Sequence, residues 1–491
     1  MIRVPRTVVR RIASTIVVVA VGAGVVAVDA RDRGAREGAS AAIDRYAGFP
    51  QVSSVRRIST SWFCPGVAAG DGVEAGNVVI VNPGDEQITA TLRLLSEEST
   101  PLERIVVEPR SRLEVDVLRG RTVGVVVPVV ELVGPVGTVE QELFYAAGDV
   151  TAQCVSQTSS TWHFADGFTA EGSTHRLVIA NPYPESAVVG VVFTTVDGQR
   201  APAQLQGMIL APGTARSIPL VEQGARDEKR LAVTVTATSG QVVASRAQHY
   251  LGAGRLGYST TLGVPDTGRQ WWFTSGRTGP LVTEELVVHN PGDRASKVTV
   301  SFFGEGITNG AAIDAPGATP SAAVEVPAGG IVAIDTNAIA DLPKGDHAMV
   351  VDVVKGPGVV VEHVLSQKTA TGFFSAVTNG VPEGLSSLVW RVPSGLARGA
   401  RNALTILNTT AEAGTFTIAA VGPGGEVALP GAANLPIEGA SLALLDVPDG
   451  AANGEVVIRS TVPIVVQRRT TRGHGLPGFG VVGALPVREA R

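Results

Sequence analysis

The sequence predicts a mostly β protein: four tandem antiparallel β-sandwich units of the Ig-like kind behind one N-terminal transmembrane helix. Three observations carry that expectation. A Trp…Gly…Asn frame recurs at four places, Val-rich runs of four to eight residues alternate with Gly, Pro, Asn and Asp, and one long uncharged apolar stretch lies near the start. At 491 residues and 44% hydrophobic content, the chain is too apolar for disorder and long enough for several cores. Its 58 Gly and 30 Pro, without long amphipathic stretches, suit short strands joined by turns.

The N-terminal element comes first. Arg3, Arg6, Arg10 and Arg11 precede Ile12–Val28, 17 residues without a charge, and Asp29 and Asp32 follow. As a helix this stretch rises about 25 Å, the short end of what spans a bilayer. The arginines before it place the N-terminus in the cytoplasm and the bulk of the chain outside. Residues 1–28 are read as a cytoplasmic stub and retained anchor of a single-pass cell-membrane protein. The rival reading is a signal peptide with Val28-Asp29-Ala30 as its cleavage site, which gives a secreted protein. Residues 29–58, with Arg56 and Arg57, suit a juxtamembrane linker, and Ala39–Tyr46 within it suits a short helix. Six Arg and two Asp give the first 33 residues a net charge of +4 in a chain that totals −5, so the remainder is acidic. That argues against nucleic acid as a partner, since phosphate binding needs cationic neutralisation.

The repeated units follow. Trp62 and Gly66, Trp162 and Gly167, Trp271 and Gly276, and Trp390 and Gly395 each open one. Eighteen to twenty residues after the Trp, an apolar run ends at Asn82, Asn181, Asn290 or Asn408. The units are bounded at 59–159, 160–268, 269–387 and 388–491. Past each Asn a second alternating strand is expected, at Thr89–Leu95, Val188–Thr195, Lys297–Phe303 and Thr415–Val421. A Pro-containing bend and a third strand come next. Each unit then closes with a β-branched stretch, at Val139–Tyr145, Val242–Tyr250, Val359–Leu365 and Ile464–Arg468. Asn-Pro-Gly suits a strand terminator: Pro fixes φ and withdraws a donor, Gly supplies positive φ, and the Asn side chain caps the turn. The Trp is expected to plug one end of its core.

The two cysteines, Cys64 and Cys154, bracket the first unit and in an oxidising compartment are expected to form a disulfide. Trp162-His-Phe-Ala-Asp-Gly167, Leu177-Val-Ile-Ala-Asn181-Pro and Val242-Val-Ala-Ser-Arg-Ala-Gln-His-Tyr250 resemble repeats that open with Trp-Tyr-Phe-Ala-Glu-Gly. Such repeats occur in extracytoplasmic proteins of actinobacteria and related bacteria, in families of unknown function. The resemblance is clearest in the second unit and runs more loosely over residues 60–485. It departs at Asp166, where the pattern carries Glu, at Cys64-Pro65, and after Asn408, which lacks the Pro. It implies location and repeat architecture and lends no activity.

Motifs that carry chemistry are sparse. The seven histidines, His163, His175, His249, His289, His347, His363 and His474, show neither His-x-x-x-His nor His-Glu-x-x-His spacing, so no metal site is assigned and surface or turn positions are expected. No Gly-x-Ser-x-Gly elbow or phosphate-binding loop occurs. Glu97-Glu98 and Glu284-Glu285 are adjacent pairs whose side chains leave a strand on opposite faces, so they suit solvated rims better than a catalytic dyad. His163, Asp166 and His175 are the candidates for a binding role, yet Ser replaces the acid in the third and fourth units. No catalytic residue and no cofactor is assigned. The expectation is a non-catalytic, membrane-anchored envelope protein that binds a cell-wall or capsular polysaccharide. The alternatives are a protein scaffold in an envelope assembly and a polysaccharide-modifying enzyme with a site between units.

Overall fold

The computed structural model describes residues 47–53, 58–70, 72–98, 102–134, 137–145, 148–307, 321–368, 372–393, 400–447, 454–472 and 479–488. The expected anchor Ile12–Val28, the short helix Ala39–Tyr46, Arg56, Arg57, Gly395 and His474 lie outside them. Among the described residues the fold is mostly β, with four 3₁₀ turns, and no helix is long and apolar enough to cross a membrane. Alternation builds the strands. Ile88–Leu95, Ala187–Thr195 and Ser296–Phe303 bury every second side chain along most of their length, the signature of a half-buried strand.

The first sheet pair shows how the layers are made. Ser59–Phe63, Val125–Val133, Ile88–Leu95 and Glu103–Val107 form one sheet; Val150–Gln153, Thr138–Tyr145, Val73–Asn82 and Ser111–Asp116 form the other. Trp62, Leu92 and Val130 share a core with Val78, Ile80 and Leu143 across the two layers. Two further pairs of layers follow, and a single parallel bridge, Leu256 to Phe374, joins one sheet of each into an eight-stranded sheet. Past residue 387 one strand, Val456–Arg472, ties both layers together. It pairs with Ser387–Val392 and Gly414–Gly422 through its first half and with Ala400–Asn408 and Phe479–Gly483 through its second.

The motif residues hold these layers together. Trp62, Trp162, Trp271 and Trp390 are at most 2% exposed. The indole N–H donates to Val242 O from Trp162 at 2.9 Å, to Val359 O from Trp271 at 3.0 Å and to Ile464 O from Trp390 at 3.0 Å. Trp62 Nε1 has no partner among the described residues. Each motif Asn binds its own turn and the opposite layer at once. Asn181 Oδ1 accepts from Tyr183 N at 3.1 Å, while its Nδ2 donates to Glu185 O at 2.7 Å and Leu210 O at 3.2 Å. Asn82, Asn290 and Asn408 repeat that pattern, the last without the Pro. Gly167 is required by proximity, because a Cβ there would lie 2.6 Å from Leu231 O and 2.7 Å from His175 Nδ1. Gly276 is held just as closely against His347. Cys64 and Cys154 are bonded, closing a loop of 90 residues; such a crosslink is worth about 4–5 kcal/mol through the unfolded chain's lost entropy.

Four inner strands were not named by the sequence expectation, although its unit bounds include them. Val150–Gln153, Arg255–Leu262, Phe373–Asn379 and Phe479–Gly483 lie side by side in a closed circuit, each against the next and the fourth against the first. Amide side chains bridge where ladders stop: Asn379 Nδ2 donates to Leu262 O at 3.0 Å, and Gln153 Nε2 to Gly483 O at 2.8 Å and Ala484 O at 2.9 Å. A circuit of this kind covers sheet edges that would otherwise expose unpaired backbone.

The seams around the circuit alternate in chemistry. Phe63, Val127 and Val155 share one apolar core with Phe164, Val178 and Val243; Trp272, Phe303 and Val350 share another with Trp390, Ile406 and Ile458. The other two seams carry buried charge. Arg246 meets Glu362 with two bonds of 3.0 and 3.1 Å, and Arg468 lies 3.5 Å from Glu140.

Candidate functional site

The three residues singled out from sequence lie in the first charged seam. Asp166 is fully buried, and its Oδ2 accepts from Arg255 Nη1 at 2.8 Å. Its backbone N–H donates to Glu362 Oε2 at 2.6 Å and its carbonyl accepts from Arg246. Burial alone would raise the Asp166 carboxyl, but Arg255, Arg230 and Arg246 hold it below the usual carboxylate range. His175 packs against the Gly167 backbone in the same region, and neither ring nitrogen is hydrogen-bonded among the described residues. His163 is engaged elsewhere, its Nδ1 3.0 Å from Thr234 Oγ1. Burial pushes both histidines down to about 3. Asp166 and His175 thus come together as packing and hydrogen-bonding elements, and none of the three lines the cavity described below.

Two sequence expectations need correction here. The histidines are not surface turn residues: His163, His175, His289, His347 and His363 are all buried. Nor is Glu284 a solvated rim charge. It is wholly buried, 2.9 Å from His347 Nε2 and 2.8 Å from His363 Nε2, and accepts from Thr336 Oγ1 at 2.6 Å. Burial opposes its ionisation, and the two histidines outweigh that and hold its carboxyl down. The opposite-face argument itself holds, since neighbouring Glu285 turns the other way to meet Arg255 at 3.1 Å and Arg230. Sequence spacing gave no signal for either cluster, because His347 and His363 reach Glu284 from separate strands.

The registers disclose what the Trp loops do. Opposite the residue three before each motif Asn stands Glu140, Ser245, Glu362 or Gln467. The last three each grip the Trp loop of the preceding segment. Ser245 Oγ donates to Pro65 O, Glu362 accepts from Asp166 N, and Gln467 Oε1 accepts from Thr274 N at 2.8 Å and Ser275 N at 3.0 Å. The Trp…Gly loop is a clasp between consecutive segments as well as a core plug.

The concave space lies at the middle of the circuit. A cavity of about 310 Å³ is walled by all four inner strands. Its polar lining includes Thr151, Thr260, Thr378, Asn379 and Glu142, and Phe144 and Phe479 supply apolar surface. Tyr258 is fixed between Tyr145, 3.7 Å away ring to ring, and His249 at 4.1 Å. Pro50 also reaches the cavity, from a segment anchored by Phe49 against Trp271 and by the pairing of Val52 and Ser53 with Val487 and Arg488. The volume lies at the low end of ligand sites, about 300–1,000 Å³. Burial pushes the Glu142 carboxyl up to about 7, with Arg468 opposing and Glu140 reinforcing the shift. Among the described residues no group of His, Cys, Asp and Glu is arranged to hold a metal ion.

Fold and cavity define a multi-sheet β protein with a central pocket of mixed polar and apolar lining. A family model described as "Family of unknown function (DUF5719)" matches residues 135–254 and 260–489, and the chain belongs to that family. Among solved structures, "Crystal Structure of Thermotoga maritima 1070" is similar at 20% identity with a TM-score of 0.20, covering 22% of this chain and 97% of that one. No curated protein sequence matches.

Proposed function

We propose that this protein is a non-catalytic extracytoplasmic binding module of the cell envelope, anchored through Ile12–Val28, in which four Ig-like sandwich units close around one ligand site. The ligand class is a cell-wall or capsular polysaccharide. The observation that carries the reading is the central cavity, to which each of the four inner strands contributes and whose lining mixes hydroxyl, amide and carboxyl groups with aromatic rings. Hydroxyls that both donate and accept, set beside apolar rings, suit a polyhydroxylated ring with C–H faces. The non-catalytic part rests on what repeats: Trp, Gly and Asn recur, while Asp166 is replaced by Ser275 and Ser394. The unit count rests on the same four Trp…Gly…Asn frames. The test is retention of purified envelope polysaccharide by the full chain in mild detergent, compared with Thr151→Trp, which fills the cavity. Retention by wild type and loss in the variant support the reading; equal retention by both places binding elsewhere and defeats it.

A further inference from the structure

The central cavity is lined by two acceptor groups that lack a partner among the described residues. Along its wall Arg112 pairs with Glu114 at 2.7 Å and the Gln153 amide is engaged by two carbonyls, while Arg468, outside the lining, lies 3.5 Å from Glu140. Among the described residues the Glu142 carboxylate has neither ion pair nor hydrogen bond, the nearby Arg468 and Arg112 acting on it only through their charge. It sits between Thr151 on one neighbouring strand and Asn77 on the other, on the face that also carries Glu140 and Phe144. Asn379 Oδ1, on the inner strand Phe373–Asn379, is a buried acceptor without a donor. An unanswered carboxylate and an unanswered acceptor in one cavity both call for donors. A half-buried carboxylate without a partner costs stability, and such departures from good folding concentrate where ligands bind.

We infer that the cavity takes a sugar residue bearing a protonated amine, an amino sugar, with Glu142 as its counter-ion. This rests on the binding reading above and names its ligand class. The ammonium supplies the charge-assisted hydrogen bonds that Glu142 lacks. Ring hydroxyls meet Thr151, Thr260 and Asn379, and the C–H surface meets Phe144 and Phe479. The groups facing Glu142 fix the sign of its charge balance. Arg112 is already matched by Glu114, and Asp149 adds a further carboxyl group to the lining, so among the described lining residues acidic groups outnumber basic ones. A neutral sugar leaves that charge uncompensated, and an N-acetylated one replaces the cation with an amide. The volume of about 310 Å³ suits one ring rather than a run of polymer.

The test is isothermal titration calorimetry of the full chain in mild detergent at pH 7 with glucosamine hydrochloride, glucose and N-acetylglucosamine. Wild type, Glu142→Gln and Thr151→Trp are compared, with circular dichroism and melting curves confirming folding. Glucosamine is expected to bind at least tenfold more tightly than either neutral sugar, Glu142→Gln to erase that preference, and Thr151→Trp to abolish binding. Equal affinities for glucosamine and glucose, unchanged in Glu142→Gln yet lost in Thr151→Trp, would overturn the amine while leaving the cavity as the binding site. Glucosamine binding that survives Thr151→Trp would overturn both readings. No heat from any sugar with wild type would overturn the amino-sugar assignment, leaving polysaccharide retention to judge the cavity separately.

Discussion

At the residue scale, the Trp, Gly and Asn of the repeated frame each answer a packing demand. The buried indoles fill volume, and three of them satisfy their N–H on a carbonyl of the closing strand. Trp162→Ala should cost about 3–5 kcal/mol, the range for emptying a large aromatic site, read as a shift in the urea midpoint. A shift below 1 kcal/mol would mean the site collapses or the ring is dispensable. Asn181→Ala strands the Glu185 and Leu210 carbonyls and the Tyr183 amide, so a loss of about 2–3 kcal/mol is expected. These roles were legible because a residue type recurring at fixed spacing is read directly from the chain. Glu284 was not, since its partners His347 and His363 are 63 and 79 residues away and no local pattern marks them.

At the element scale, the charged seams govern response to mutation and acid. Glu362→Ala removes the partner of a wholly buried Arg246 and should destabilise by about 3–5 kcal/mol. The double change Arg246→Met with Glu362→Leu should recover most of that, since an apolar pair of similar volume escapes the desolvation penalty. A double variant as unstable as the single one would show that the pair's hydrogen bonds to Asp166 and Thr261 dominate. Acid acts through the buried histidines. Burial holds His163 and His175 down to about 3 and His289 to about 4, so each is neutral in the fold and takes up a proton on unfolding below about 6.5. The histidines' contribution to stability is therefore complete above pH 6.5 and falls as pH drops towards 3–4, by about 1.4 kcal/mol per pH unit for each. Together they outweigh the single Glu142 carboxyl, whose raised value acts in the opposite sense. Urea midpoints at pH 7 and pH 5 check this; equal midpoints would contradict it. The strands on either side of each Asn were legible from alternation, with limits within two residues at Ile88–Leu95 and Ala187–Thr195. The clasp between Trp loops and the next segment was not, because it joins positions such as Asp166 and Glu362, 196 residues apart.

At the scale of the whole molecule, closure creates the site. The four inner strands, drawn from separate parts of the chain, lie against one another and wall the cavity together. The inner strands left a faint trace in sequence, since Gly257-Tyr258, Gly372-Phe373 and Gly478-Phe479 open three of them with the same Gly-aromatic step. That trace runs only four to eight residues and its periodicity is masked by Thr and Ser, so it reads as a turn. The cavity wall, assembled from residues up to 432 positions apart, Pro50 to Val482, had no sequence signature. The most direct measurement is a crystal structure of the protein soaked with glucosamine. The account predicts density for one sugar ring between the four inner strands with its amine against the Glu142 carboxylate; a ring bound on an outer sheet face, with the central cavity holding only solvent, would contradict it.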